Sequence, residues 1–225
     1  MLVSHRYRFI FIKSAKTAGT SVESYFEEYC FPEGEWEESH YVNEYVNPAS
    51  GIVGYRGLNR PSNTIFYNHM TARELRANLP AKVWQTYFKF TTVRHPFDRQ
   101  ISHFYHFELI RNKDFWASQA GDDIDKFRRW LRNTGGVSDR HLYTINDSLA
   151  VDYCIRFESL HDGVREVCNQ LGICADQGKT LPKFKSEFRK GAPPIHMFYG
   201  QEEKELVSKS CAWELATFEY GWPAK

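Results

Sequence analysis

Lys16, Thr17, Ala18, Gly19, Thr20 and Ser21 follow one another in the segment "SAKTAGTS" (14–21). One cation, three hydroxyls and a glycine in so short a space suit the holding of an anion. Gly19 lets backbone approach a ligand closely. The amides that open a following helix favour negative charge. A second group lies at "VRHPFDRQIS" (93–102), where Arg94 leaves a strand and Ser102 lies eight residues on, inside a helix. A guanidinium with a hydroxyl makes a clamp for a separate phosphate. The alternative for Arg94 is a structural ion pair with Asp98.

These groups need a scaffold, and the periodicity supplies one. "YRFIFIK" (7–13) reads as a buried strand leading into the turn, and "TSVESYFEEYC" (20–30) as the amphipathic helix after it. Further strands are expected at 63–69, 86–94 and 151–158. Helices are expected at 71–80, opened by a Thr71–Glu74 capping box, and at 96–112, 122–133, 160–173 and 200–221. Residues 31–63 form an irregular Gly/Pro-containing excursion, and 175–196 a basic loop. Alternating strands and helices predict the α/β class: a parallel sheet flanked by helices, in one domain spanning 1–225. Ligands of such sheets bind beyond the carboxyl ends of the strands, where the turn lies.

Composition narrows the chemistry. The chain has 225 residues, 42% hydrophobic and 25% charged, as in an ordinary soluble globular protein. A net charge of +1 disfavours a nucleic-acid binder. Aromatic residues make up 16%, which fits a filled core, a ring-stacking cleft, or both. No apolar run is long enough to span a bilayer, and the start is not a signal peptide. Cys30, Cys154, Cys168, Cys174 and Cys211 are odd in number, contain no CxxC and read as free thiols of a reducing compartment. No Cys/His pair has zinc-ligand spacing, so no metal is expected. A nucleoside-triphosphate loop would read G-x-x-x-x-G-K-[ST]. Here the first Gly is missing and Lys16 precedes Gly19. A ligand with phosphate at two separate places fits better than ATP.

Both motifs resemble those of the sulfotransferases that use 3′-phosphoadenosine 5′-phosphosulfate (PAPS). "KSAKTAGTS" is similar to that family's 5′-phosphosulfate loop, and "VRHPFDRQIS" to its 3′-phosphate motif. The likeness is closer to the carbohydrate-type branch, which includes the heparan 2-O-sulfotransferases. It extends to "DYCIRFESLHDGVREVCNQLGI" and to "FYGQEEKELVSKSCAWELATFEYG". Ala15 stands where the family often has Pro, and 31–63 and 114–145 match nothing in it.

The resemblance implies a nucleotide-kinase-like P-loop fold and transfer of a sulfuryl group from PAPS to an acceptor hydroxyl, on a small molecule or glycan. Adenosine 3′,5′-bisphosphate (PAP) is then released. Lys16 and the amides near Gly19 would stabilise the leaving charge, with Thr17, Thr20 and Ser21 on the 5′-phosphate. Arg94 and Ser102 would hold the 3′-phosphate. Lys185, Ser186 and Arg189 in the basic loop would form a lid over it, or an ordinary solvated loop. His69 in "FYNHMTARELR" is similar to the family's general base, with His95 as second candidate. His40 and His141 could touch the acceptor, and "FRRWLR" (127–132) could line an acidic-sugar groove or be one helix face. Golgi members of the branch carry an N-terminal anchor; none is read here, where the first strand begins within the first ten residues, so a cytoplasmic enzyme is expected. A metal-dependent ATP kinase and a non-catalytic nucleotide-binding module are the competing readings. Oligomeric state is not readable.

Overall fold

The computed structural model describes residues 1–37, 43–173, 181–182 and 193–223. In chain order the elements are β1 (Leu2–Ser4), β2 (Phe9–Ile12), α1 (Gly19–Phe26), β3 (Tyr45–Asn47), β4 (Gly51–Val53), α2 (Ala72–Asn78), α3 (Ala81–Thr86) and β5 (Phe88–Val93). Next come α4 (Pro96–His103), a π-helix (Phe104–Arg111), α5 (Lys113–Ala117) and α6 (Asp123–Thr134). The small hairpin β6 (Thr144–Ile145) and β7 (Ser148–Leu149) precedes β8 (Tyr153–Arg156) and α7 (Leu160–Leu171). The chain closes with α8 (Ile195–Phe198), α9 (Gln201–Ser210) and α10 (Ala212–Thr217). Two compact units result, one built from 1–93 with 139–184 and the other from 94–138 with 185–225.

The first unit holds a six-stranded sheet in the order β3-β4-β1-β2-β5-β8. β2, β5 and β8 are parallel neighbours, with Phe9 opposite Phe88 and Phe90 opposite Tyr153. β1 runs against both β2 and β4, and β3 against β4. Four strands therefore point one way and two the other. The expected α/β class with flanking helices is the one found, with antiparallel pairs added on one side.

β2 is buried at every position, as its unbroken "FIFI" requires of a strand covered on both faces. Phe9, Phe11 and Phe90 meet Phe26 of α1 on one face, with Phe26 and Phe90 5.1 Å apart between ring centres. Val164, Val167 and Cys168 of α7 complete this layer. Gly163 sets how closely α7 lies on β8: a Cβ there would meet Ile155 Cγ2 at 2.7 Å.

Some expected elements are corrected. Residues 63–69 are no strand; only Tyr67 bridges, to Tyr55. The Glu44 carboxylate accepts the amides of Ile65 (3.1 Å) and Phe66 (2.5 Å), so those donors go to a side chain rather than a ladder. The excursion 31–63 contains β3 and β4. The helix expected over 96–112 changes to π geometry after His103, and the closing helix breaks at Cys211. The Thr71–Glu74 capping box is present.

The second unit is helical, with Phe97, Ile101, Phe104, Trp116, Phe127 and Trp130 among its buried residues. The arginines of "FRRWLR" are held within it. Arg128 donates to the carbonyls of Phe198 and Met197, Arg129 to that of Ala120, and Arg132 pairs with Glu203.

A buried ionic cluster lies behind the turn in the first unit. Glu23 of α1, fully buried, faces the Met1 α-amino group (2.7 Å), Lys13 Nζ (2.6 Å) and Arg56 Nε (3.0 Å). Arg56 also pairs with Glu27 at 3.1 Å. Burial opposes ionisation of Glu23, but Lys13, the Met1 amine and Arg56 together hold its carboxyl well below the usual carboxylate range. A depressed carboxylate adds stability above its unfolded-state pKa, and that share fades as pH falls below it. Glu23→Ala strips the cations of their main partner and is expected to cost about 3–5 kcal/mol of unfolding free energy. A lower urea midpoint at neutral pH would register it; an unchanged midpoint would contradict it.

Candidate active site

The turn from β2 to α1 contains two left-handed residues that are not glycine, Lys16 and Ala18, each at φ 62°. Ala18 is the residue before α1, and its carbonyl accepts the amides of Ser21 (2.9 Å) and Val22 (3.1 Å). Among the described residues no side chain caps α1. The positive end of its dipole, with the amides of Gly19 and Thr20 ahead of the bonded Ser21, suits an anion. Gly19 begins the helix flush against its surroundings. A Cβ there would lie 2.9 Å from Lys13 Cγ and 3.1 Å from the Ser14 carbonyl oxygen. Thr20 is half-buried and Ser21 buried.

Thr17 is 1% exposed, and its hydroxyl lies 2.6 Å from both Ser14 Oγ and Thr92 Oγ1. Ser14 Oγ in turn donates to the Thr92 carbonyl. The Ala15 amide donates to the buried Asp139 carboxylate at 3.3 Å. The Thr17 hydroxyl thus braces the turn from inside, leaving its backbone amide as the group it could offer a ligand.

His69 reaches the same turn. It too is left-handed, at φ 59°, between the Tyr55–Tyr67 bridge and α2. Its Nδ1 lies 3.1 Å from the Lys13 carbonyl oxygen. A carbonyl only accepts, so Nδ1 carries the proton and Nε2 of the neutral ring keeps its lone pair. The residue is solvent-exposed by surface area although protein surrounds most of the ring. Loss of hydration, and next the Lys13 charge, push its pKa down to about 4. At neutral pH it is an uncharged imidazole, with Nε2 ready to accept a proton.

In the second unit Arg94 pairs with Asp98, Nη2 at 2.5 Å and Nε at 2.6 Å from one carboxylate oxygen. The ion pair weighed from sequence is therefore present. Asp98 and Ser102 are four residues apart on α4 and share a helix face. Ser102 is half-buried. His95 is tied elsewhere, its Nε2 donating to the Gly221 carbonyl at 2.9 Å beside the Tyr220 ring. His103 stacks on Trp130, ring centres 5.6 Å apart. His141 is exposed in a short 3₁₀ turn. Lys185, Ser186, Arg189, Cys174 and His40 lie outside the described residues. Among the described residues no group of His, Cys, Asp and Glu is arranged to hold a metal.

The turn, His69, Arg94 and Ser102 all fall inside a match to the Sulfotransferase family that covers residues 1–209. The chain belongs to the sulfotransferase family. No curated protein and no solved structure matches it. The sulfotransferase is accordingly an enzyme of sulfuryl transfer, with a small molecule or a glycan as acceptor. Among its described residues no helix is long and apolar enough to cross a membrane.

The sequence reading missed three contributors to the sulfotransferase turn. Lys13 offers the carbonyl that orients His69, Thr92 closes the hydroxyl contacts, and Asp139 holds the Ala15 amide. Lys13 was in plain view within the motif. Thr92 and Asp139 lie 75 and 124 residues from their partners, beyond the reach of any local pattern.

Proposed function

We propose that this sulfotransferase moves a sulfuryl group from PAPS to a hydroxyl of a carbohydrate or glycosylated small molecule and releases adenosine 3′,5′-bisphosphate. The observation that carries the reading is the hydrogen bond from His69 Nδ1 to the Lys13 carbonyl. It ties a neutral base, with Nε2 free of its proton, to the turn that suits an anion.

Two features of the turn support PAPS: the left-handed Lys16 and Ala18 in the approach to α1, and the absence of a side-chain cap on α1 among the described residues. Lys16, the amides of Thr17 through Thr20 and the hydroxyls of Thr20 and Ser21 would hold the 5′-phosphosulfate. Arg94 and Ser102 would hold the 3′-phosphate, with Lys185, Ser186 and Arg189 as further candidate contacts to it. Bound PAPS supplies the transferable sulfuryl group and an anionic leaving group. His69 Nε2 takes the acceptor hydroxyl's proton. Lys16 and the start of α1 provide a fixed positive field for charge developing on the departing oxygen. No metal is assigned a role.

The carbohydrate acceptor rests on the motif likeness described above. The family match crosses both compact units, which supports reading 1–225 as one sulfotransferase domain. Cys30, Cys154, Cys168 and Cys211 are all free thiols, which supports a reducing, cytoplasmic setting.

Isothermal titration with adenosine 3′,5′-bisphosphate, run beside ATP with magnesium, tests the donor. The bisphosphate is expected to bind at least about tenfold more tightly, a difference of about 1.4 kcal/mol. Binding of ATP alone would replace this reading with a kinase.

A further inference from the structure

The turn holds two residues, Lys16 and Ala18, in a left-handed conformation unfavourable to an L-amino acid, with Thr17 between them. Such strain persists only where neighbouring structure over-determines it. Left-handed residues in a turn of this kind help to aim nearby amides at one point, as in an anion nest. What keeps this stretch in shape is therefore part of how it would bind.

The hydroxyl contacts supply the answer. Ser14 has one proton and gives it to the Thr92 carbonyl. Ser14 Oγ can then only accept, from Thr17 at 2.6 Å or from Thr92 Oγ1 at 3.1 Å. The 2.6 Å contact between Thr17 and Thr92 takes the remaining proton in either arrangement. Through the Thr92 carbonyl and one another the three buried hydroxyls are satisfied in a closed ring, with no proton left to point outward. Two members are in the turn. The third is on β5, held in register by its parallel neighbours β2 and β8. We infer that Thr92 is a positioning residue that clamps the Lys16–Ala18 nest from the sheet and so sets affinity for the 5′-phosphate end of the donor. The inference rests on the PAPS reading above.

Thr92→Val keeps the branched shape and removes the hydroxyl. Titration of wild type and variant with adenosine 3′,5′-bisphosphate and with adenosine 3′-monophosphate reads the effect. The variant is expected to lose about tenfold in affinity for the bisphosphate and to bind the 3′-monophosphate as wild type does. Thr92→Ser restores the hydroxyl and is expected to restore the affinity. Ser14→Ala breaks the same ring from its other side and is expected to show the same selective loss, which covers the case of a poorly folded valine variant. Undiminished bisphosphate binding in both Thr92→Val and Ser14→Ala would overturn the inference, as would an equal loss for both ligands. A wild type that binds the bisphosphate no better than the 3′-monophosphate would overturn the PAPS reading itself, and this inference with it.

Discussion

His69→Ala loses turnover by about 10²–10⁴-fold, the usual share of a general base, while affinity for adenosine 3′,5′-bisphosphate holds. The split follows from where the ring is anchored. His69 is hydrogen-bonded to the Lys13 carbonyl, and the groups assigned to the nucleotide belong to other residues. His69→Asn is the sharper variant. Asn tolerates the left-handed conformation that His69 adopts, and its side-chain amide can donate to Lys13 as Nδ1 does. It keeps the anchor and removes the base. Single-turnover rates with labelled PAPS and a sugar acceptor would show the loss; full activity in both variants would remove His69 from the mechanism. The pH profile carries the same signature. The base works when neutral and fails when protonated, so activity falls as pH drops through its pKa. With that pKa pushed down to about 4, the acid limb is expected near 4 and not near the ordinary histidine value.

Arg94→Lys is expected to weaken adenosine 3′,5′-bisphosphate by about 10–100-fold, since an ammonium cannot reproduce a forked guanidinium contact. Adenosine 5′-monophosphate, which lacks the 3′-phosphate, should bind the variant and the wild type alike. Lysine is preferable to alanine at this position. Asp98 is only 13% exposed, and removal of all positive charge beside it would add a folding defect to any binding defect. Equal affinity of wild type and Arg94→Lys for the bisphosphate would leave Arg94 a purely structural partner of Asp98.

The parts of the molecule that were legible in the sequence are those written contiguously. "FIFI", the Lys16–Ser21 turn and α1 form one unbroken signal, as do β5, Arg94 and α4, and both stand where expected. The stretch 63–69 misled because its apolar residues look like a strand while the Glu44 carboxylate takes the amides a neighbouring strand would need. β1, β3 and β4 are three residues each, too short for a periodicity to show. The long helix was correctly begun at Pro96, but a π segment differs from an α one in its hydrogen bonding and not in its composition. In the candidate site the bearers of charge and hydroxyls could be named, whereas their bracing could not. Asp139 and Thr92 are ordinary residues until the fold brings them to Ala15 and Thr17.

The closed ring of hydroxyls has a kinetic consequence. A loop that must fold around its ligand pays an ordering cost at each encounter, and its capture rate reflects how often it visits the competent shape. A loop already locked to the central sheet has no such waiting time. Under the PAPS reading proposed above, recognition is a single docking event, governed by diffusion and by the attraction between the anion and Lys16. Discrimination among nucleotides falls to how long each one stays.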